Sequence, residues 1–300
     1  MKRKLYQTVR SLAHNLLPPI AVKAIRSTAR IRHGSEAPDW EYLPGGWPDE
    51  RRHLRGWAAE SVVSTQLSRW AEFVDSVEGT ASFGRSHESA VADTDYALHN
   101  TVMSFGYVLA RASYGREQLS ILDWGGGIGH YYVYSRALMP ELIVDYHCYD
   151  LPSLAKAGRS VLPQVDFPAS EEAALSRRYG LVVASSALQY SRDWRTTLAG
   201  LASVCDHYIY VTRQPFVQQV PSFVVVQHPL KHGYETEYPG WFLNEAEFLG
   251  FAREIGLTLV REFLIQERPL VPNAPEPADY RGFLFAAPGR VGDESAPPRW

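Results

Sequence analysis

Past residue 118 the chain alternates short apolar runs with amphipathic segments. Residues 119–123 form a compact apolar run of the kind that makes a buried parallel strand. Residues 130–138 then carry helical spacing and stop at Pro140. The same alternation predicts strands over 142–149, 164–167, 181–185 and 207–212, with helices over 154–162, 171–178 and 194–202 between them. A helix over 244–255, with Asn244 as N-cap and Gly256 as its stop, and strands over 258–265 and 281–286 complete the series. Such alternation predicts an α/β fold: a mostly parallel sheet of seven strands with helices on both faces.

The first third of the chain reads differently. Residues 57–74 and 99–112 carry helical periodicity; Val102, Phe105, Leu109 and Ala112 share one face of the second helix, and Gly115 ends it. Residues 34–48 are rich in Gly and Pro and read as a loop. The expected organisation is a basic amphipathic segment over 1–35, a helical N-terminal extension over 36–118 that lids the site, an α/β core over 119–288, and a disordered tail over 289–300.

Charge adds one feature. The 300 residues carry a formal net charge of -3, which gives no reason to expect a nucleic-acid partner. Yet Lys2, Arg3, Lys4, Arg10, Lys23, Arg26, Arg30 and Arg32 precede the first acidic residue. A basic amphipathic segment of this kind suits peripheral contact with an anionic membrane; a solvated tail or a helix packed on the core is the alternative. No apolar run is long enough to span a bilayer. Cys148 and Cys205 sit in apolar runs, which predicts reduced thiols and a cytoplasmic location.

The candidate chemistry centres on Ile121-Leu122-Asp123-Trp124-Gly125-Gly126-Gly127-Ile128-Gly129. A strand feeding glycines and then a helix suits a nucleotide site, because bare backbone lets a ligand approach. The dinucleotide fingerprint wants a third glycine where His130 stands, so an NAD(P)-binding enzyme is the less favoured reading. The order here is Asp123, then Gly125, Gly127 and Gly129 at alternate positions, with Gly126 between, as in the first motif of class I methyltransferases. S-Adenosylmethionine carries an ammonium and a sulfonium and no phosphate, and an acid at the strand end suits that charge. Asp150, at the next strand end beside Leu151, is placed to accept from ribose hydroxyls, or to cap the following helix. Asp166 and Phe167 are candidates for the adenine edge and face.

Ser185, Ser186 and Tyr190 leave the fourth strand where cofactor and acceptor should meet. The Asn/Asp-Pro-Pro-Tyr signature of amino-group methylases is missing there, which favours an oxygen acceptor. Arg213 could clamp a carboxylate or phosphate, or serve in a structural ion pair. The polar and aromatic stretch 227–241 suits a sugar-like acceptor. His228, His232 and His130 are candidate general bases, with a surface or core role as the plain alternative to each. No metal-ligand spacing is visible.

Residues 121–129, Asp150-Leu151-Pro152, 181–190 and 223–241 together resemble the bacterial methyltransferases of the LIC12133 type, over about residues 47–286. That family often has a small polar residue in the glycine turn, where this chain has Gly127 and His130. The resemblance implies the class I methyltransferase Rossmann-like fold and S-adenosyl-L-methionine as cofactor. Its members are often encoded among genes for surface polysaccharides. With the oxygen acceptor favoured at the fourth-strand exit and the sugar-like mix of residues 227–241, the expected function is O-methylation of a glycan, a lipid-linked saccharide or a small-metabolite hydroxyl. A non-catalytic binding module with the same fold is the remaining alternative.

Overall fold

The computed structural model describes residues 39–48, 56–84 and 95–288. The basic segment 1–35 and the tail 289–300 lie outside the described residues. In chain order the elements are β1 (Trp40–Leu43), α1 (Glu60–Ser68), α2 (Trp70–Glu78), α3 (Tyr96–Ser113), β2 (Gln118–Trp124), α4 (His130–Leu138), β3 (Ile143–Tyr149), α5 (Pro152–Val161) and α6 (Glu171–Ala174). They continue with β4 (Tyr179–Ser185), α7 (Trp194–Ser203), β5 (Cys205–Val217), β6 (Phe223–Gln227), β7 (Tyr238–Asn244), α8 (Glu245–Glu254), β8 (Thr258–Leu264) and β9 (Asp279–Ala286).

The helix starts follow capping chemistry. Asp95 accepts from the amides of Ala97 and Leu98 at the head of α3, and Asn244 accepts from the amide of Glu247 at the head of α8. The amphipathic faces then decide which side of the sheet each helix covers. Val102, Phe105, Leu109 and Ala112 of α3 pack with Tyr208, Tyr210 and Leu284 on one face. Trp194 and Leu198 of α7 and Phe248 of α8 pack with Val182, Ile209 and Phe285 on the other.

The central sheet runs β3-β2-β4-β5-β9-β8. Strands β3, β2, β4 and β5 are parallel, and β9 is inserted antiparallel between β5 and β8. Parallel order places the carboxyl ends of β2 through β5 along one edge, where such sheets bind ligands.

Three expectations are corrected. The strand expected over 164–167 is reduced to one bridge between His147 and Asp166, because Pro163 and Pro168 bracket it and cannot donate to a ladder. The helix expected over 171–178 stops at Ala174. Nine strands, not seven, lie among the described residues. Six of the seven expected strands are present, and three others, β1, β6 and β7, form an antiparallel sheet that takes up parts of the supposed extension and of the stretch 227–241. Strand β5 outruns its expected end at 212, and its last two residues pair with β7, Phe216 to Leu243 and Val217 to Asn244.

Candidate cofactor and acceptor site

The carboxyl ends of β2, β3 and β4, together with Arg213 within β5, border a cavity of about 340 Å³. Asp123 and Asp150 both border it, together with Trp124, Gly125, Gly126 and Gly127 of the turn between β2 and α4. Two carboxylates at neighbouring strand tips therefore share one space with bare backbone between them.

Asp123 is fully buried. Its Oδ2 accepts from the Tyr146 hydroxyl at 2.7 Å, and its Oδ1 has no hydrogen-bond partner among the described residues. Burial pushes its pKa up from 3.8 to about 7, opposed by the Tyr146 hydrogen bond and reinforced by the nearby Asp150 charge. The turn is wrapped on this carboxylate: a Cβ at Gly126 would overlap the Asp123 carboxyl group and the Cys148 sulfur. Gly127 has φ +63° and donates its amide to Asp150 Oδ2 at 2.7 Å. Asp150 Oδ1 accepts from the Leu151 amide at 2.6 Å. Burial raises the Asp150 pKa and the two amides pull it back.

The other candidate positions separate. Leu151 borders the cavity; Gly129 does not, and serves instead as the N-cap of α4. Asp166 and Phe167, the candidates for the adenine, do not border the cavity. The Asp166 carboxylate is held by His147 Nδ1 at 2.7 Å, and Phe167 is buried in the core, its ring filling the space beside Gly158.

At the end of β4, Ser185 accepts from the Tyr131 hydroxyl at 2.8 Å. Ser186 has φ +49° and donates its hydroxyl to the Arg213 carbonyl at 3.1 Å. Arg213 borders the cavity, and its guanidinium stands 3.3 Å from Glu267, so the structural ion pair is realised. Tyr190 also borders the cavity; it donates its hydroxyl to Gln227 Oε1 at 2.7 Å and meets Trp57 edge-on at 5.2 Å. Burial lifts the Tyr131 pKa well above its ordinary value. Its hydroxyl is thus a donor and not a base at neutral pH.

The three histidines part company. His130 borders the cavity, its ring packed on Phe73 and Trp70 at centroid distances of 4.8 and 5.4 Å. His228 lies away from it, 3.4 Å from each of Glu41 and Glu237, at the start of the turn after β6. His232 is also off the cavity; its carbonyl accepts from Arg69 at 3.2 Å. Both belong to the connection between β6 and β7, and neither borders the cavity. Tyr234 and Tyr238 of the same stretch are buried against Trp57 and not displayed for stacking.

Gln66, Trp57, Thr101 and Tyr131 border the cavity without having been anticipated. Gln66 is buried in α1, far from the glycine turn in sequence. Tyr131 alone carried a signal, its place in the first turn of the helix that follows the glycines.

The strand order, with the last strand antiparallel beside β5, and the glycine turn after the first core strand define a class I methyltransferase Rossmann-like fold. No family model matches the chain, and no curated protein is significantly similar to it. Among solved structures it is similar to magnesium protoporphyrin IX methyltransferase from Synechocystis with bound S-adenosylmethionine, at 14% identity, over 80% of this chain and 98% of that one, with a TM-score of 0.46. It is similar to 1,6-didemethyltoxoflavin-N1-methyltransferase from Burkholderia thailandensis, at 15% identity, over 86% and 98%, with a TM-score of 0.46. It is also similar to the N-terminal domain of EvdMO1 with S-adenosylhomocysteine and D-fucose, at 14% identity, over 73% and 97%, with a TM-score of 0.44. The strand order carries the fold assignment; likenesses this distant add nothing to it.

Proposed function

We propose that the chain is an S-adenosylmethionine-dependent methyltransferase. One observation carries this reading: a buried carboxylate with an unsatisfied oxygen, Asp123, shares a cavity with Asp150 across a turn of open glycine backbone. A buried acceptor without a partner costs free energy unless a ligand supplies donors, and a cationic one suits it best. When bound, the cofactor supplies a methyl group on a sulfonium, already activated for in-line transfer.

The protein's own part is binding, alignment and exclusion of water. Asp123 counters the positive charge, and Asp150 accepts from the ribose hydroxyls. Trp57 and Tyr190 close the acceptor side, and the Tyr131–Ser185 pair orients a hydroxyl there. Alignment of this kind is worth about 7–11 kcal/mol at best. The acceptor is a hydroxyl on a glycan, a lipid-linked saccharide or a small metabolite: the missing Asn/Asp-Pro-Pro-Tyr signature favours oxygen, and the basic segment 1–35 motivates the lipid-linked version. The basic segment 1–35 would hold the protein at an anionic membrane beside a lipid-linked acceptor; flotation with liposomes, with and without that segment, tests this part. No helix of the described residues is long and apolar enough to cross a membrane.

Isothermal titration with S-adenosylhomocysteine, NAD and NADP tests the cofactor. Binding of the first alone is expected, and binding of a nicotinamide nucleotide in its place would overturn the assignment. Mass spectrometry of surface glycans and metabolites from a deletion strain then identifies the acceptor by a lost methyl group. Cofactor binding with no methyl group lost would instead favour the non-catalytic module.

A further inference from the structure

Gln66 belongs to α1, outside every motif that suggested the cofactor, yet its side chain borders the same cavity. It is 5% exposed, and its Oε1 has no hydrogen-bond partner among the described residues. A carboxamide placed so is costly to the free protein, because burial removes water without replacing its hydrogen bonds. An apolar side chain of similar length would fill the space at less cost. The position is therefore one where a polar group is kept at the expense of stability, as happens where a ligand needs it.

The neighbourhood says which part of a ligand. A Cβ at Gly127 would lie 3.2 Å from Gln66 Oε1 and 3.8 Å from its Nε2, so the carboxamide covers that residue's Cα. The amide of the same glycine donates to Asp150 Oδ2 at 2.7 Å. Gln66 and Asp150 thus approach Gly127 from two sides, one by its Cα and one by its N–H. An ionised carboxylate only accepts, whereas a carboxamide donates and accepts. Together they match a vicinal diol, which offers two donors and two acceptors at adjacent carbons.

We infer that Gln66 is a cofactor-binding residue that shares the ribose diol of the bound nucleoside with Asp150, so that α1 supplies part of the cofactor site. The inference rests on the cofactor reading above. It also gives α1 a definite role: the helix completes the nucleoside cradle.

The test is titration of the full chain and of Gln66→Met with S-adenosylhomocysteine and with its 2′-deoxy and 3′-deoxy analogues, alongside thermal melts of the unliganded proteins. The expected result for Gln66→Met is an unchanged or higher melting temperature and about 3- to 10-fold weaker binding of S-adenosylhomocysteine. That gap should shrink with at least one deoxy analogue. Equal affinity of variant and wild type for S-adenosylhomocysteine would overturn the assignment while leaving the cofactor reading intact. A gap undiminished with both analogues would overturn the placement on the diol. Failure of the wild-type protein to bind S-adenosylhomocysteine at all would overturn both readings together. Gln66→Asn, which keeps the chemistry but shortens the reach, should bind weakly as well.

Discussion

Tyr146 donates its hydroxyl to Asp123 across 2.7 Å, from the strand beside it, with both side chains buried. The bond holds the carboxylate toward the glycine turn and offsets part of the cost of burying it. That cost leaves Asp123 titrating near neutrality, at about 7. The ionised form is the one that suits a cation. Affinity for S-adenosylmethionine should therefore fall about tenfold from about pH 8 to about pH 6, and Tyr146→Phe should move the midpoint upward. Titrations across pH check both; a flat profile would exclude Asp123 as the counter-charge.

The same carboxyl group governs stability in the opposite sense. Its folded-state pKa is raised, so its contribution is fully present below the unfolded value of 3.8 and is lost as pH rises through about 7. Asp123→Asn still offers an acceptor to Tyr146 and carries no charge. The variant should melt above wild type at pH values beyond about 7, with the gap closing toward about pH 4 and never exceeding about 4 kcal/mol. It should bind S-adenosylhomocysteine at least tenfold more weakly. Melting curves and calorimetry read the two effects separately.

Asp150 has two amides to satisfy even without ligand, those of Gly127 and Leu151. Asp150→Asn loses the strength that charge gives to both, and one amide-bearing rotamer would set a donor against a donor. Binding of S-adenosylhomocysteine should weaken about tenfold or more, with a modest loss of melting temperature. Unchanged affinity would remove Asp150 from the ribose.

Gly126 leaves no room for a side chain over Asp123. Gly126→Ala should cost about 1–3 kcal/mol of stability and abolish cofactor binding, as overpacking does elsewhere. Gly45→Ala, where a Cβ meets nothing within 4 Å, is the matched control and should change neither. Denaturant melts separate the pair.

His228 and His232 stand off the cavity, so His228→Ala and His232→Ala should leave S-adenosylhomocysteine affinity within about twofold of wild type. A large loss in either would mean that the hairpin between β6 and β7 folds over the ligand.

The glycine turn and its two acids were legible because their partners are local in the fold's logic: each acid ends a strand, and parallel pairing of β2 with β3 sets Asp123 and Asp150 at neighbouring tips. Gln66 and Trp57 were not, since tertiary packing alone brings α1 and the turn before it onto the cavity. Strand β1 was hidden for a related reason: its partner, β6, lies far along the chain, and Gly and Pro around it read as loop. Asp166 and Phe167 were misplaced because a strand was expected where two prolines permit a single bridge, and the side chains take other directions.

Strand β5 is a common rod for two sheets. Its early residues pair with β4 in the parallel sheet that borders the cavity, and its last two anchor β7. Exchanging the segment between residues 218 and 237 for one of another length or shape would therefore alter the β6–β7 hairpin while the cavity, which takes no lining residue from that segment, stays as it was.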